Sequence, residues 1–274
     1  MTEHQDRMAA LFDSVADTYD AVGVDLFQPV ADGLVQALDP RPGERALDVG
    51  CGPGAVLFRL ANAVTASGAV TGIDLSARMV EATAADVAGA GLSWVDVVVG
   101  DAMAPAVPPS SFDVVASSLV LFFLPDPLEA LRSWREALVD GGRVGVSTFG
   151  PFDEQWRDHV DATLTAFRPP ETKDARTAGA QGPFASDEGV ETLLSTAGFR
   201  DVRTVTSSIS PRFDDAEHWQ RWSMSVGQRQ FWDAIPEDRR RDIEEASFAA
   251  VERCRKDDGR LGFDQEIRYT LGRR

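Results

Sequence analysis

The chain has 274 residues, room for one α/β domain with added elements; 43% are apolar and 26% charged, which excludes a disordered or disulfide-scaffold protein. No run approaches the roughly 18 apolar residues of a membrane span, and the opening MTEHQDRMAALF lacks a signal-peptide core. A net charge of −17 opposes nucleic acid and anionic membranes alike, so the expectation is a cytoplasmic protein whose partner is a small molecule. Cys51 and Cys254 have no second cysteine at ligand spacing and the three histidines are scattered, so neither a disulfide nor a metal site is expected.

Met8, Leu11, Phe12 and Val15, then Phe27, Val30, Leu34, Val35 and Leu38, recur at helical spacing, which predicts helix over most of the first forty residues. After the Pro42–Gly43 turn an alternation begins: strand 45–49, helix 55–64, strand 70–73, helix 77–88, strand 95–99, strand 112–117 and helix 127–138. A turn at Asp140–Gly142 then leads into strand 143–148. Such alternation winds into a parallel sheet with helices on both faces. Beyond Phe149 the pattern breaks into helix 153–167, a polar stretch to 183, helix 186–197, strand 202–209, a tryptophan-rich helical region 214–258 and a last strand 263–271. The expected architecture is one α/β domain over 1–274: a doubly wound, mostly parallel seven-stranded sheet, capped by helices from 1–40, 150–183 and 214–258. The stretch holding Pro169, Pro170, Gly179, Gly182 and Pro183 is too poor in apolar residues to bury itself, which predicts a lid cut first by protease within 168–185 and slowed by ligand.

In open parallel sheets ligands bind beyond the carboxyl ends of the strands. Here the first strand runs directly into Asp48-Val49-Gly50-Cys51-Gly52-Pro53-Gly54. Read loosely, Gly50, Gly52 and Ala55 satisfy a dinucleotide fingerprint, with Asp74 placed 20 residues after Gly54. The charges weigh against it. Asp48, Asp74 and Asp101, at the ends of three strands, converge on one crevice, and a pyrophosphate about 5 Å from such a charge is repelled by roughly 3 kcal/mol at an effective dielectric near 20. A cofactor carrying an ammonium, a sulfonium, a ribose diol and an adenine amino group suits this field. S-adenosyl-L-methionine (SAM) has all four.

The motifs resemble those of the class I SAM-dependent methyltransferases, in the branch that modifies quinones and natural products. LDVGCGPG (47–54), GIDLS (72–76) and VVGDA (98–102) are similar to that family's first three motifs. FDVVASSLVLFFLPD (112–126), LRSWREALVDGGRVGVSTF (131–149), FDSVADTYD (12–20) and LLSTAGFRDVR (193–203) follow in matching places. The resemblance implies a Rossmann-like fold, SAM as cofactor and S-adenosyl-L-homocysteine as product. It also implies that Gly50 and Gly52 pass under the methionine part, with Asp48 near its amino group and Ser117 close by. Asp74 and Leu75 would hold the ribose, with Met79 against sugar or adenine. Asp101, Ala102 and Met103 would hold the adenine, and Tyr19 and Phe27 would lean over from the N-terminal cap. Met79 and Tyr19 also read as plain packing residues.

The catalytic group is open. The family often has histidine in the loop after the fourth strand, where this chain has Phe122–Phe123, which suggests an apolar pocket floor. His159, three residues after Trp156, is a candidate base or a surface residue. Trp156, Trp219 and Trp222 with Phe122 are candidates for the substrate pocket, and the tryptophans equally for the cap's own core. The expected reaction is methyl transfer to a small-molecule secondary metabolite. A cyclisation or decarboxylation on the same fold, or a non-catalytic SAM-binding subunit, are the competing readings.

Overall fold

The computed structural model describes residues 3–165 and 179–274. Helices α1 (Glu3–Val15) and α2 (Phe27–Leu38) precede a repeating unit of β1 (Arg45–Val49), α3 (Ala55–Val64), β2 (Ala69–Asp74), α4 (Ala77–Gly89) and β3 (Val95–Val99). Then come β4 (Phe112–Ser118), α5 (Pro127–Ala137) and β5 (Leu138–Phe149). After the break lie α6 (Asp187–Thr196), β6 (Arg200–Ile209), β7 (Arg212–Phe213), three cap helices α7 (Ala216–Met224), α8 (Arg229–Ala234) and α9 (Arg240–Glu252), and finally β8 (Leu261–Gly262) and β9 (Gln265–Arg273).

The main sheet has seven strands in the order β3-β2-β1-β4-β5-β9-β6. The first five pair in parallel, and β9 inserts antiparallel between β5 and β6. This is the mostly parallel, doubly wound sheet expected. Strand order reverses between β1 and β4, so the crevice beyond their carboxyl ends is where a ligand fits. Four of the five β1 residues are buried, as helices on both faces of a parallel sheet require. Side chains stop and start the helices: Ser76 accepts from Met79 N at 3.1 Å at the head of α4, and Asp126 from Glu129 N at 3.0 Å ahead of Pro127 in α5.

Several expectations need correction. The Asp140–Gly142 turn lies inside β5, which starts at Leu138; its register with β4 jumps from Phe112↔Leu138 to Val114↔Arg143, so the turn is a bulge. The expected helix 153–167 is described as Glu154–Trp156, a π-helical turn Arg157–Asp161 and Ala162–Thr165. A two-stranded ribbon of β7 and β8, absent from the sequence reading, closes the cap.

The expected lid lies largely at 166–178, outside the described residues. Its far end is fixed. Phe184 is buried against Phe122, and its carbonyl accepts from Arg268 Nη1 at 3.0 Å, while Arg268 Nε reaches Asp187. Limited proteolysis is therefore expected to spare 182–187; a first cut there would show that this anchor does not hold in solution.

Candidate active site

A cavity of about 1160 Å³, part of it open to solvent, lies beyond β1, β2 and β3. Its floor is the turn after β1. Gly50 has φ +75° and Gly52 φ +49°, in the left-handed region that other residues avoid. A Cβ on Gly50 would come within 2.4 Å of Val120, so this glycine lets the β4 loop close down. A Cβ on Gly52 would meet nothing within 4 Å: the backbone there faces open space, as a close-lying ligand needs.

Three carboxylates edge this floor. Asp48 is 1% exposed and neither of its oxygens has a hydrogen-bond partner. Burial first, and the neighbouring Asp74 charge second, push its carboxyl up to about 8, against the lowering effect of the Leu57 backbone N–H, which lies short of a formed hydrogen bond. Asp74 ends β2 and has both oxygens in use, accepting from Gly52 N at 2.8 Å and Ser76 N at 2.9 Å. Burial raises this carboxyl too, against the lowering effect of those backbone donors. Asp101 accepts from Met103 N at 2.9 Å and from Gln5 Nε2 at 2.7 Å.

The walls are apolar. Leu75, Met79, Ala102 and Met103 flank the carboxylates. Tyr19 and Phe27 face each other at 4.8 Å between ring centroids, and Phe12 lies edge-on to both Tyr19 and Phe123. Burial, followed by the charges of Asp20 and Asp74, raises the Tyr19 phenol, which therefore stays a protonated donor. The cover is tied down on two sides. Asp13 accepts from Ser76 Oγ and Arg78 N, at the head of α4. On the cap side, Asp214 N donates to His218 Nδ1, which leaves Nε2 to donate to Val22 O at 2.8 Å.

Tyr19, Phe27, Asp48, Gly50 and Gly52 thus share one cavity with Asp74, Leu75, Met79, Asp101, Ala102 and Met103. The other candidates do not line it. Ser117 is buried and donates to Val49 O at 2.9 Å; Ser118 takes the lining position, bonded to Ser147 Oγ. In the 3-10 turn Leu121–Phe123, Phe122 turns inward onto Phe149 and Phe184, and Phe123 lines the cavity. Trp156, Trp219 and Trp222 fill the cap core with Phe213, Phe263 and Trp232. His159 lies half-buried on the π-helical turn, outside the lining. Sequence reasoning missed His4 and Gln5 as lining residues; both share the face of α1 that carries Met8 and Phe12, and that helical spacing was the available signal. Leu119, just past β4, is a left-handed non-glycine residue at φ +58°, held by its N–H to Ser147. Such strain collects at functional sites.

Among the described residues no three His, Cys, Asp or Glu side chains group as a metal site, and no helix is long and apolar enough to cross a membrane. Activity is expected to survive a chelator; loss restored by magnesium would give the carboxylates a different role.

Residues 47–146 match the family model described as a methyltransferase domain. The chain is similar to nocamycin O-methyltransferase of Saccharothrix syringae, 39% identical over 242 residues that cover 84% of this chain and 85% of that protein. It is 37% identical over 147 residues to aklanonic acid methyltransferase of Streptomyces sp. (strain C5), covering 54% and 67% of the two chains. The YcgJ protein of Bacillus subtilis has the same fold, with a TM-score of 0.61 at 18% identity over 90% of this chain and 98% of that one. A relative so similar across most of both sequences places the protein: it belongs to the class I SAM-dependent methyltransferases, in the branch that acts on small molecules.

Proposed function

We propose that the cavity binds SAM and that residues 1–274 work as one unit, passing the methyl group to an oxygen of a small natural product and releasing S-adenosyl-L-homocysteine. The observation that carries this reading is the Asp48 carboxyl, buried beside an open glycine turn with only the backbone N–H of Leu57 acting in favour of its charge. A buried acid of that kind needs a cation or strong donor, and the methionine ammonium supplies one. Asp74 retains lone pairs for the two ribose hydroxyls, and Asp101 for the adenine amino group. Leu75, Met79 and Met103 offer apolar contacts to the purine and sugar. The acceptor oxygen is supported by the name of the first relative above, and the natural-product class by the names of both.

When bound, SAM would supply a sulfonium methyl group, the S–C electron pair going to sulfur, and an acidic hydroxyl that enters as its oxyanion, its proton already lost to water, balances the transfer. The chain's own share is orientation and the exclusion of water. Phe12, Tyr19 and Phe27 offer a flat acceptor a surface to lie on, in the same cavity as the strained Leu119. Tyr19, kept protonated, can donate a hydrogen bond but cannot take a proton. The one imidazole among the described lining residues, His4, is engaged with Phe123 O.

The test is incubation with methyl-labelled SAM and a panel of aromatic polyketides with acidic hydroxyls. Label in the product supports the reading. A transformed product without label would favour cyclisation or decarboxylation, and absence of SAM binding by calorimetry would remove the proposal.

A further inference from the structure

We infer that Ser118, its hydroxyl aimed by Ser147, holds the oxyanion of the acceptor and selects an ionised acceptor over a neutral one; the inference rests on the reading of the cavity as a SAM site. Strand order places the acceptor. Asp101, Asp74 and Asp48 stand on or just beyond β3, β2 and β1, which are neighbours in that order. Adenine, ribose and methionine then lie across those three strands, and the methyl group faces the next one, β4. Past the end of β4 the wall of the cavity is Leu119, Val120, Phe123, Leu124 and Pro125, all apolar. Ser118 is the one side-chain hydrogen-bond donor of that wall among the described residues.

The direction of its hydrogen follows from its partner. Ser118 and Ser147 stand in register on β4 and β5, with their hydroxyl oxygens 2.9 Å apart. Ser147 is fully buried, and its oxygen accepts from Leu119 N at 3.1 Å. Its own hydrogen finds no acceptor but Ser118 Oγ among the described residues, and a buried hydroxyl hydrogen left unbonded is costly. Ser147 therefore donates and Ser118 accepts. Ser118 has one hydrogen of its own, which is left for the cavity. The chain from Leu119 N–H through Ser147 O–H to Ser118 O–H runs one way and ends where the acceptor oxygen must sit. Such a donor holds an oxyanion far more firmly than a neutral oxygen. In the transfer a lone pair of that oxygen forms the new C–O bond, the S–C pair goes to sulfur, and Ser118 keeps its proton. The oxygen loses its charge, so the methylated product is held more weakly than the acceptor.

The test titrates para-nitrophenolate and its methyl ether, para-nitroanisole, onto protein loaded with S-adenosyl-L-homocysteine, above the pH at which the free phenol ionises. Wild-type protein is expected to prefer the phenolate by roughly tenfold or more. Ser118→Ala should abolish that preference and change S-adenosyl-L-homocysteine affinity by less than about twofold. Ser147→Ala should narrow the preference without abolishing it, because Ser118 loses its orientation but keeps its hydroxyl. The turn itself stays held in that variant, since Leu119 N also donates to the Ser147 carbonyl at 3.2 Å. If the two serines only braced the turn, both probes would lose equally, and that result overturns the inference while the SAM site stands. A Ser118→Ala protein with weakened S-adenosyl-L-homocysteine binding and the preference intact would give the hydroxyl to the methionine carboxylate and overturn it too. So would a loaded wild-type protein that binds neither probe, or both alike. A wild-type protein that does not bind S-adenosyl-L-homocysteine removes the SAM reading, and the inference with it.

Discussion

Asp48→Asn is expected to make the ligand-free protein more stable at pH 8 and its cofactor site weaker, two changes of opposite sign from one substitution. The carboxyl has no side-chain partner and is pushed up to about 8 by burial and then by Asp74, against the Leu57 backbone N–H. A carboxyl raised in the folded state holds its proton longer there than in the unfolded chain. Its contribution to stability is complete below the ordinary carboxylate range and is lost as pH climbs through the folded value. Each unit of displacement is worth about 1.4 kcal/mol, so the wild-type fold weakens by several kcal/mol between acid and pH 8. Asparagine has nothing to ionise and escapes that loss. Its neutral amide, however, gives up the charge-assisted bond to the ligand ammonium, which should lower S-adenosyl-L-homocysteine affinity by about 1.5–3 kcal/mol. Wild-type affinity should rise between pH 6 and 8, by up to about tenfold per unit, because the ligand cation selects the ionised form; the variant should be flat. Thermal melts and titrations across that range decide it. A destabilised variant with intact affinity would make Asp48 a structural acid and take the ammonium out of this corner.

What could be read from the sequence, and what could not, divides along a physical line. The β1 strand, its glycine turn and the acids at the strand ends obey local rules. An apolar run must be covered on both faces, glycine alone accepts positive φ cheaply, and parallel strands all point their carboxyl ends at one crevice. Residues whose roles depend on packing were not legible in the same way. Ser117 and Ser118 are adjacent at the end of β4, and a strand sends neighbours to opposite faces, so a shift of one exchanges a buried bond to Val49 O for a lining position. Phe122 and Phe123 are neighbours within a single tight turn that sends one ring to the core and the other to the cavity. Tryptophans at helical spacing look alike whether they enclose a ligand or each other, and only the packed rings, Trp156 on Phe213 and Phe263, Trp222 on Phe213 and Trp219 on Trp232, separate the two. Gln5 reaches Asp101 across ninety-six positions, a contact no local pattern encodes.

Asp74→Ala is expected to lower S-adenosyl-L-homocysteine affinity by about 1.5–3 kcal/mol, through loss of charge-assisted bonds to the ribose hydroxyls. The side chain also braces the floor, since its oxygens accept from Gly52 N and Ser76 N. Loss of the Gly52 bond alone would loosen the turn under the methionine half and so imitate a binding defect. Adenosine separates the two effects, because it carries the ribose and purine but no amino acid. If Asp74 holds the ribose, alanine should cost adenosine nearly as much as it costs S-adenosyl-L-homocysteine, whereas Asp48→Asn should cost adenosine almost nothing. If Asp74 acts only by bracing the turn, the adenosine affinity should survive and the loss should fall on the longer ligand. Asp74→Asn keeps one acceptor for a backbone donor but removes the charge, and is expected to fall between wild type and alanine for both ligands. A folded Asp74→Ala protein with wild-type affinity for both would remove the ribose from the end of β2, and with it the orientation of the cofactor on which the roles of Asp48 and Asp101 depend.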